Sequence, residues 1–292
     1  MELRNFADTE IKLTPLGFGA GLIGDENISE KQIETLLNSI LDLGINFIDT
    51  ARSYGISEER IGKYLSNRRK EFILSTKIGY GVEGYNDWTS DCISVGIERA
   101  LKILKTDYID IVYLHSCPKE TLENTGVMDA LIKAVDKGKV RIAGYSGENE
   151  ALDYAIDTKQ FKSVMMSVNI CDQRVIKTAI ARAKKEKIGV IAKRPVANIA
   201  WNYKERPIGN YAEEYWLRLK KMNLDFDIDW LELALRFTAF IDGVDSCVIG
   251  TTNLSHIKRN IEIIEKGPLP NEIVVSIKSA FKANDDNWLG QI

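Results

Sequence analysis

The feature that most constrains this chain is an alternation of element types. Eight short apolar runs, rich in β-branched and aromatic residues, occur at 16–20, 45–49, 72–77, 109–115, 140–145, 164–169, 189–193 and 246–250, and helical-period segments separate them. The clearest helix carries Ile33, Leu36, Leu37, Ile40 and Leu41 on one face, behind a capping box of Ser29 and Gln32 and with Gly44 as its stop. Ile97, Ala100, Leu101 and Leu104 repeat that stripe. So do Ile176, Ala179, Ile180 and Ala183 and, behind Asn253 as cap, Leu254, Ile257, Ile261 and Ile264. Strands separated by helices pair in parallel, because each crossover returns the chain to the same end of the sheet. Eight such units predict an α/β fold, the closed (β/α)8 TIM barrel. An open doubly wound sheet obeys the same local grammar, and only the count favours closure.

No linker rich in Pro, Gly or Ser divides the chain, since its 6 prolines and 21 glycines are scattered at turns, so residues 1–292 are expected to form a single domain. Residues 1–14 are expected to make an N-terminal hairpin across the barrel floor. Residues 196–227, with Trp201, Tyr203, Tyr211, Tyr215 and Trp216, form a long loop after strand 7 of the kind that walls a site. Trp88 and Trp201, on the loops after the third and seventh strands, are candidates for a substrate pocket.

Charge and cysteine usage narrow the partners. Lys+Arg 39 against Asp+Glu 42 gives a net charge of -3, without the basic excess that nucleic acid or an anionic membrane requires. The 4 cysteines form no Cys-x-x-Cys pair, and with 2 histidines no metal cluster is expected. No run approaches the ~18 apolar residues of a membrane span, and the N-terminus is polar, so a cytoplasmic protein acting on small molecules is expected.

One motif argues otherwise. Gly19-Ala20-Gly21-Leu22-Ile23-Gly24 matches G-x-G-x-x-G after a strand, and Asp49 follows where a ribose-binding acid would stand. In a dinucleotide fold, however, the third glycine packs at the start of the helix, whereas here Asp25, Glu26 and Asn27 intervene before the cap at Ser29. A plain glycine turn fits better.

Barrel enzymes carry their chemistry at the C-terminal ends of strands. The second, third and fourth runs end in Asp49, Lys77 and His115, and Tyr54 follows five residues after Asp49. Singly, each has a bland explanation as a turn, a solvated end or packing. Together they put a carboxylate, a phenol, an ammonium and an imidazole on one rim.

These residues carry a resemblance. Gly44-Ile45-Asn46-Phe47-Ile48-Asp49-Thr50-Ala51-Arg52-Ser53-Tyr54-Gly55, then Ser75-Thr76-Lys77, Asp110 to His115, Gly138 to Ser146 and Val248 to Asn253, resemble the signatures of the aldo-keto reductases, in that family's order. The resemblance implies a barrel that binds NADP or NAD across its mouth, and a catalytic tetrad of Asp49, Tyr54, Lys77 and His115. It also implies cofactor positions at Gly19, Ala20, Asp49, Ser146, Asn169, Lys193, Arg194, Pro195, Ile249, Gly250, Thr251, Thr252, His256 and Asn260. At three places these depart from the pattern: Asn169 stands where a Gln is usual, Lys193-Arg194-Pro195 replaces a stacking Tyr or Trp, and Thr252 with His256 replaces a basic residue for a 2′-phosphate. NADP and NAD therefore both stay open, with family habit on the side of NADP.

The roles follow from chemistry. Hydride addition to a carbonyl builds charge on its oxygen, so a proton donor must be poised there, and Tyr54 is the natural one. Lys77 favours the phenolate, Asp49 holds Lys77, and His115 orients the carbonyl. The expected function is reduction of an aldehyde or ketone, or oxidation of an alcohol, a sugar among the candidates. A cofactor-binding, redox-sensing regulatory or scaffold protein on the same barrel is the alternative.

Overall fold

The computed structural model describes residues 1–124 and 126–292. Eight parallel strands close on themselves: β1 (Leu16–Gly19), β2 (Phe47–Asp49), β3 (Ile73–Ile78), β4 (Ile109–His115), β5 (Val140–Ser146), β6 (Ser163–Ser167), β7 (Gly189–Lys193) and β8 (Ser246–Ile249). The closing seam pairs Cys247, Val248 and Ile249 with Leu16, Gly17 and Phe18. A doubly wound sheet never joins its first strand to its last, so this seam removes the dinucleotide-fold alternative. Each expected run contributes a strand, with ends shifted by a few residues. Asn46, for example, precedes β2 although its carbonyl still accepts from the Ile73 N–H at 2.7 Å; its side chain turns to the hairpin, Oδ1 accepting from the Thr14 backbone N–H at 2.8 Å and Nδ2 donating to the Lys12 carbonyl at 2.9 Å. Asn169 falls beyond the end of β6.

Those Asn46 bonds tie β2 to the hairpin. Arg4–Asn5 pairs antiparallel with Lys12–Leu13, and Phe6, Ile11 and Leu13 pack up into the barrel against Phe47, Tyr113, Met165 and Ile191. The hairpin thus plugs the floor and leaves the opposite end, where the strands finish, as the open mouth.

The helices turn the stripes that periodicity marked toward the core, with Ile176, Leu254 and Ile261 only half-buried against it. Along Glu30–Asp42, Ser29 Oγ accepts from the Gln32 backbone N–H, and Ile33, Leu36, Leu37, Ile40 and Leu41 are buried, each contributing about 1.5–3 kcal/mol. The reciprocal half of the capping box does not form. The Gln32 amide donates instead to the Thr252 carbonyl at 3.1 Å, stapling this helix to the loop after β8. A wide π turn over Ile176–Ile180 precedes Ala181–Lys185, and the connection after β7 is partly helical at Glu213–Met222. Among the described residues no helix is long and apolar enough to cross a membrane.

Candidate active site

Side chains alternate in and out along each strand, and the inward rows change character as they climb. Low in the barrel they are Phe47, Ile111, Tyr113, Ile142, Met165, Ile191 and Val248. Two residues further on, the same rows carry Asp49, His115, Ser167, Lys193 and Gly250, and β3 contributes Ser75 and Lys77. The polar switch therefore falls at the mouth, where Asp49, Tyr54, Lys77, His115, Ser146 and Lys193 line one cavity of about 430 Å³.

Its floor is an ion pair. Lys77 Nζ donates to Asp49 Oδ2 at 2.6 Å and to the Thr50 carbonyl at 2.8 Å, while Ser75 Oγ donates to the other oxygen, Asp49 Oδ1, at 2.7 Å. Both charges are buried. Burial opposes the Lys77 charge, but the attraction of Asp49, followed by that of Tyr54, outweighs it and holds the ammonium above its ordinary range. Lys77 Nζ lies 4.9 Å from the centre of the Tyr54 ring.

Tyr54 arrives on a loop that the backbone fixes from two sides. The Arg52 N–H donates to the Lys77 carbonyl at 3.2 Å, and Ser57 Oγ donates to the Ala20 carbonyl at 2.8 Å. Gly24 abuts the turn directly: a β-carbon there would sit 1.8 Å from the Tyr54 carbonyl oxygen. Gly55, at φ +52°, meets the Gly24 carbonyl from the other side. The glycine motif at residues 19–24 therefore seats the Tyr54 loop by close backbone contact.

His115 stands edge-on to Tyr54, with ring centres 6.2 Å apart. Burial, with Lys77 and Lys193 adding to it, pushes its pKa down to about 3, so the imidazole is neutral at ordinary pH. Tyr80, which the residue pattern did not mark, stacks on it at 5.6 Å, with its hydroxyl 2.8 Å from His115 Nδ1. Trp88 does not line the cavity. It packs edge-on behind Tyr80 at 5.7 Å. Trp201 is also elsewhere, stacked on Trp230 at 5.9 Å within a separate aromatic pocket that Tyr203 and Trp216 share.

The expected cofactor positions divide. Gly19, Ser146, Lys193, Arg194 and Gly250 line the cavity, and Ser146 Oγ is buried with no partner among the described residues. Asn169 is turned away: its Nδ2 donates to the Arg194 carbonyl at 3.1 Å and its Oδ1 accepts from the Cys171 N–H at 2.8 Å, so the local turn consumes the amide. Ala20 is buried beneath the rim, its N–H donating to the Asp49 carbonyl, and Pro195 is buried with its carbonyl accepting from Thr238 Oγ1. Ile249 is half-buried at the end of β8. Thr251 Oγ1 lies 3.1 Å from His256 Nδ1, and Asn260 Oδ1 is buried and has no partner among the described residues. Thr252 lines an open depression of about 670 Å³ together with Ser29, Lys31, Gln32, Thr35 and Asn253.

Arg194 does not lie free over the mouth. Its guanidinium sits 4.6 Å from the Tyr211 ring centre and donates to Ser167 Oγ at 2.7 Å and to the Gln291 carbonyl. Lys193 is paired at 3.1 Å with Glu148, a buried carboxylate whose Oε1 also accepts from the Ser167 N–H. The chain terminus is laid against the same wall: Asn149 exchanges two hydrogen bonds with Gly290, Arg218 donates to the Leu289 carbonyl at 2.7 Å, and Ile292 lines the cavity. Tyr211, already marked as a loop aromatic, thus reaches the site. The terminal strap and Glu148 carry no periodic or motif signal by which sequence could have placed them.

Comparison with known proteins agrees with this architecture. The chain is 25% identical to the "Uncharacterized oxidoreductase YqkF" of Bacillus subtilis, over 97% of each chain. It is 24% identical to the L-galactose dehydrogenase of Arabidopsis thaliana, over 90% of this chain and 88% of that one. The holo form of an aldo-keto reductase from Bacillus halodurans superposes with a TM-score of 0.82 at 27% identity, covering 96% of each chain. The model of the aldo/keto reductase family matches residues 15–282, so the chain belongs to that family of nicotinamide-dependent oxidoreductases.

Proposed function

We propose that the protein interconverts a small aldehyde or ketone and its alcohol, with Tyr54 as general acid/base, Lys77 and Asp49 tuning it, and His115 orienting the carbonyl. The observation that carries this reading is the position of Lys77, bonded to Asp49 at 2.6 Å and standing 4.9 Å from the Tyr54 ring centre.

The residues present fit a nicotinamide cofactor at two separated points. Ser146 Oγ, in the cavity, and Asn260 Oδ1, on the helix Leu254–Glu265 that follows Thr252, are buried polar atoms without partners among the described residues, as atoms reserved for a ligand would be. Ser146 would hold the carboxamide end, Gly250 and Thr251 the phosphates, and Asn260 the adenine end. The bound cofactor supplies or accepts the hydride. As charge grows on the carbonyl oxygen, the Tyr54 phenol delivers its proton there, and the Lys77 ammonium stabilises the phenolate left behind. Asp49 keeps Lys77 charged inside the barrel. His115, neutral, donates a hydrogen bond to the same oxygen without competing for the proton.

NADP is the better match of the two cofactors, because Lys31 and Gln32 bring a cation and an amide to the depression beside Thr252. We read residues 1–292 as one domain acting on small molecules, with neither nucleic acid nor membrane as partner.

Tyr54→Phe tests the assignment. Cofactor affinity, read by fluorescence, should stay within about twofold, while turnover of a reactive aldehyde should fall by ~10²–10⁴-fold. Turnover within roughly threefold of wild type, with cofactor still bound, would remove Tyr54 as the acid. Wild-type protein that binds cofactor yet reduces no member of a broad carbonyl panel would favour a regulatory role.

A further inference from the structure

His115 is a neutral imidazole at ordinary pH and so carries a single N–H, on one of two ring nitrogens. Which nitrogen holds it decides whether His115 can donate to a carbonyl in the cavity or only accept. Bond-forming neighbours fix such a choice, and here Nδ1 has one, the Tyr80 hydroxyl at 2.8 Å. That hydroxyl has one proton and two neighbours. Ser53 Oγ lies at 3.3 Å, long for an O–H···O bond, whereas 2.8 Å to nitrogen is a strong distance.

Tyr80 is itself held firmly. Its ring lies nearly parallel to His115, at 24° and 5.6 Å, and packs edge-on against Trp88 at 5.7 Å. Trp88 in turn closes over Gly79, where a β-carbon would stand 2.0 Å from the indole. Gly79 therefore allows Trp88 to back Tyr80, and with Nδ1 taken by the Tyr80 hydroxyl, Nε2 is the ring nitrogen without a hydrogen-bond partner among the described residues.

We propose that Tyr80 is a positioning residue. Its phenol donates to His115 Nδ1 and so leaves the ring proton on Nε2, the nitrogen available to a carbonyl oxygen in the cavity. This deepens, and rests on, the orienting role given to His115 above. It adds a residue two positions past the end of β3 to the machinery, one that need not touch substrate or cofactor.

The chain has only 2 histidines, His115 and His256, so the tautomer can be read directly. Protein labelled with nitrogen-15 histidine, with His256→Gln to assign the signals, should show Nε2 protonated and Nδ1 bare but hydrogen-bonded in wild type. In Tyr80→Phe, which keeps both ring contacts, the Nδ1 resonance should move toward that of a free imine nitrogen. kcat/KM for a reactive aromatic aldehyde should fall roughly three- to tenfold, as for a lost neutral hydrogen bond, with cofactor affinity unchanged. A wild-type proton on Nδ1 overturns the proposal and needs no variant to be seen. An Nδ1 signal unmoved in Tyr80→Phe overturns it as well. His115→Ala separates the two layers: if it leaves kcat/KM within about threefold, the orienting role of His115 fails, while the nitrogen spectrum still decides what Tyr80 does.

Discussion

Gly24 and Tyr54 are in backbone contact at the rim of the barrel, on the loops that follow the adjacent strands β1 and β2. A β-carbon on Gly24 would stand 1.8 Å from the Tyr54 carbonyl oxygen, and the Gly24 carbonyl accepts from the Ile56 N–H at 3.2 Å. The candidate proton donor is thus set by a glycine that sequence alone first offers as part of a phosphate-binding fingerprint.

Gly24→Ala should therefore act on chemistry as well as stability. The clash is with backbone, which cannot swing aside, so the Tyr54 loop must move. Displacements of this size can cost about 10²-fold in rate. Gly44→Ala is the control: at φ +83° with open space around it, an added methyl only strains the end of a helix. We expect Gly44→Ala to lose about 1–2 kcal/mol in urea unfolding and Gly24→Ala at least as much, but only Gly24→Ala to lose turnover. Equal turnover in the two variants would dissociate Gly24 from the placement of Tyr54.

The Asp49–Lys77 pair gives a non-additivity test. Lys77→Met or Asp49→Asn alone leaves a buried charge without its partner and should cost about 3–5 kcal/mol. The double variant, carrying no charge there, should be less destabilised than the sum of the two, while all three lose activity. Additive urea-unfolding energies would show that the two side chains do not act as a unit.

Histidine burial makes a prediction with a definite sign. Folded His115 refuses a proton down to about pH 3, whereas the unfolded chain accepts it near ~6.5. The unfolded state then binds more protons below that value, so the contribution of His115 is fully present above pH 6.5 and is lost as pH falls. Between pH 7.5 and 5, wild type should lose about 2 kcal/mol more than His115→Gln. Asp172 and Asp245, raised to about 7 and about 6 chiefly by burial, act in the opposite sense and are common to both proteins. Parallel stability curves for the two proteins would contradict a buried neutral His115.

The terminal strap should tune substrate binding. Deleting residues 290–292 removes the Gln291 carbonyl that accepts from Arg194 and Ser167, along with the Ile292 side of the cavity. Stability should drop by about 1–3 kcal/mol for the lost hydrogen bonds, and KM for the carbonyl should change at least threefold while cofactor affinity changes less. An unchanged KM would show the strap to be packing alone.

Cofactor choice is testable at Lys31. Lys31→Glu should weaken NADPH binding roughly three- to tenfold and leave NADH within twofold, since only NADP carries the extra phosphate. Equal weakening of both would place Lys31 away from that phosphate.

What sequence determined here is whatever is local or periodic. The stripe of Ile33 to Leu41, the caps at Ser29 and Asn253, and eight apolar runs each report neighbours within a turn or a strand, and they lead to the barrel. Asp49, Lys77 and His115 were legible for the same reason, since each ends a run and the fold gathers strand ends at one mouth. Tertiary structure alone decided the rest, because it depends on which distant groups meet. Periodicity cannot show that Asn169 spends its amide on the Arg194 carbonyl, that Gln32 reaches Thr252 rather than Ser29, or that Trp201 turns to Trp230. Nor can it show that Tyr80 meets His115, or that Arg194 is held by Gln291, 97 residues away. Hydrogen bonds and ring contacts act over a few ångströms of space, and only the closed barrel turns separations of tens of residues into such distances.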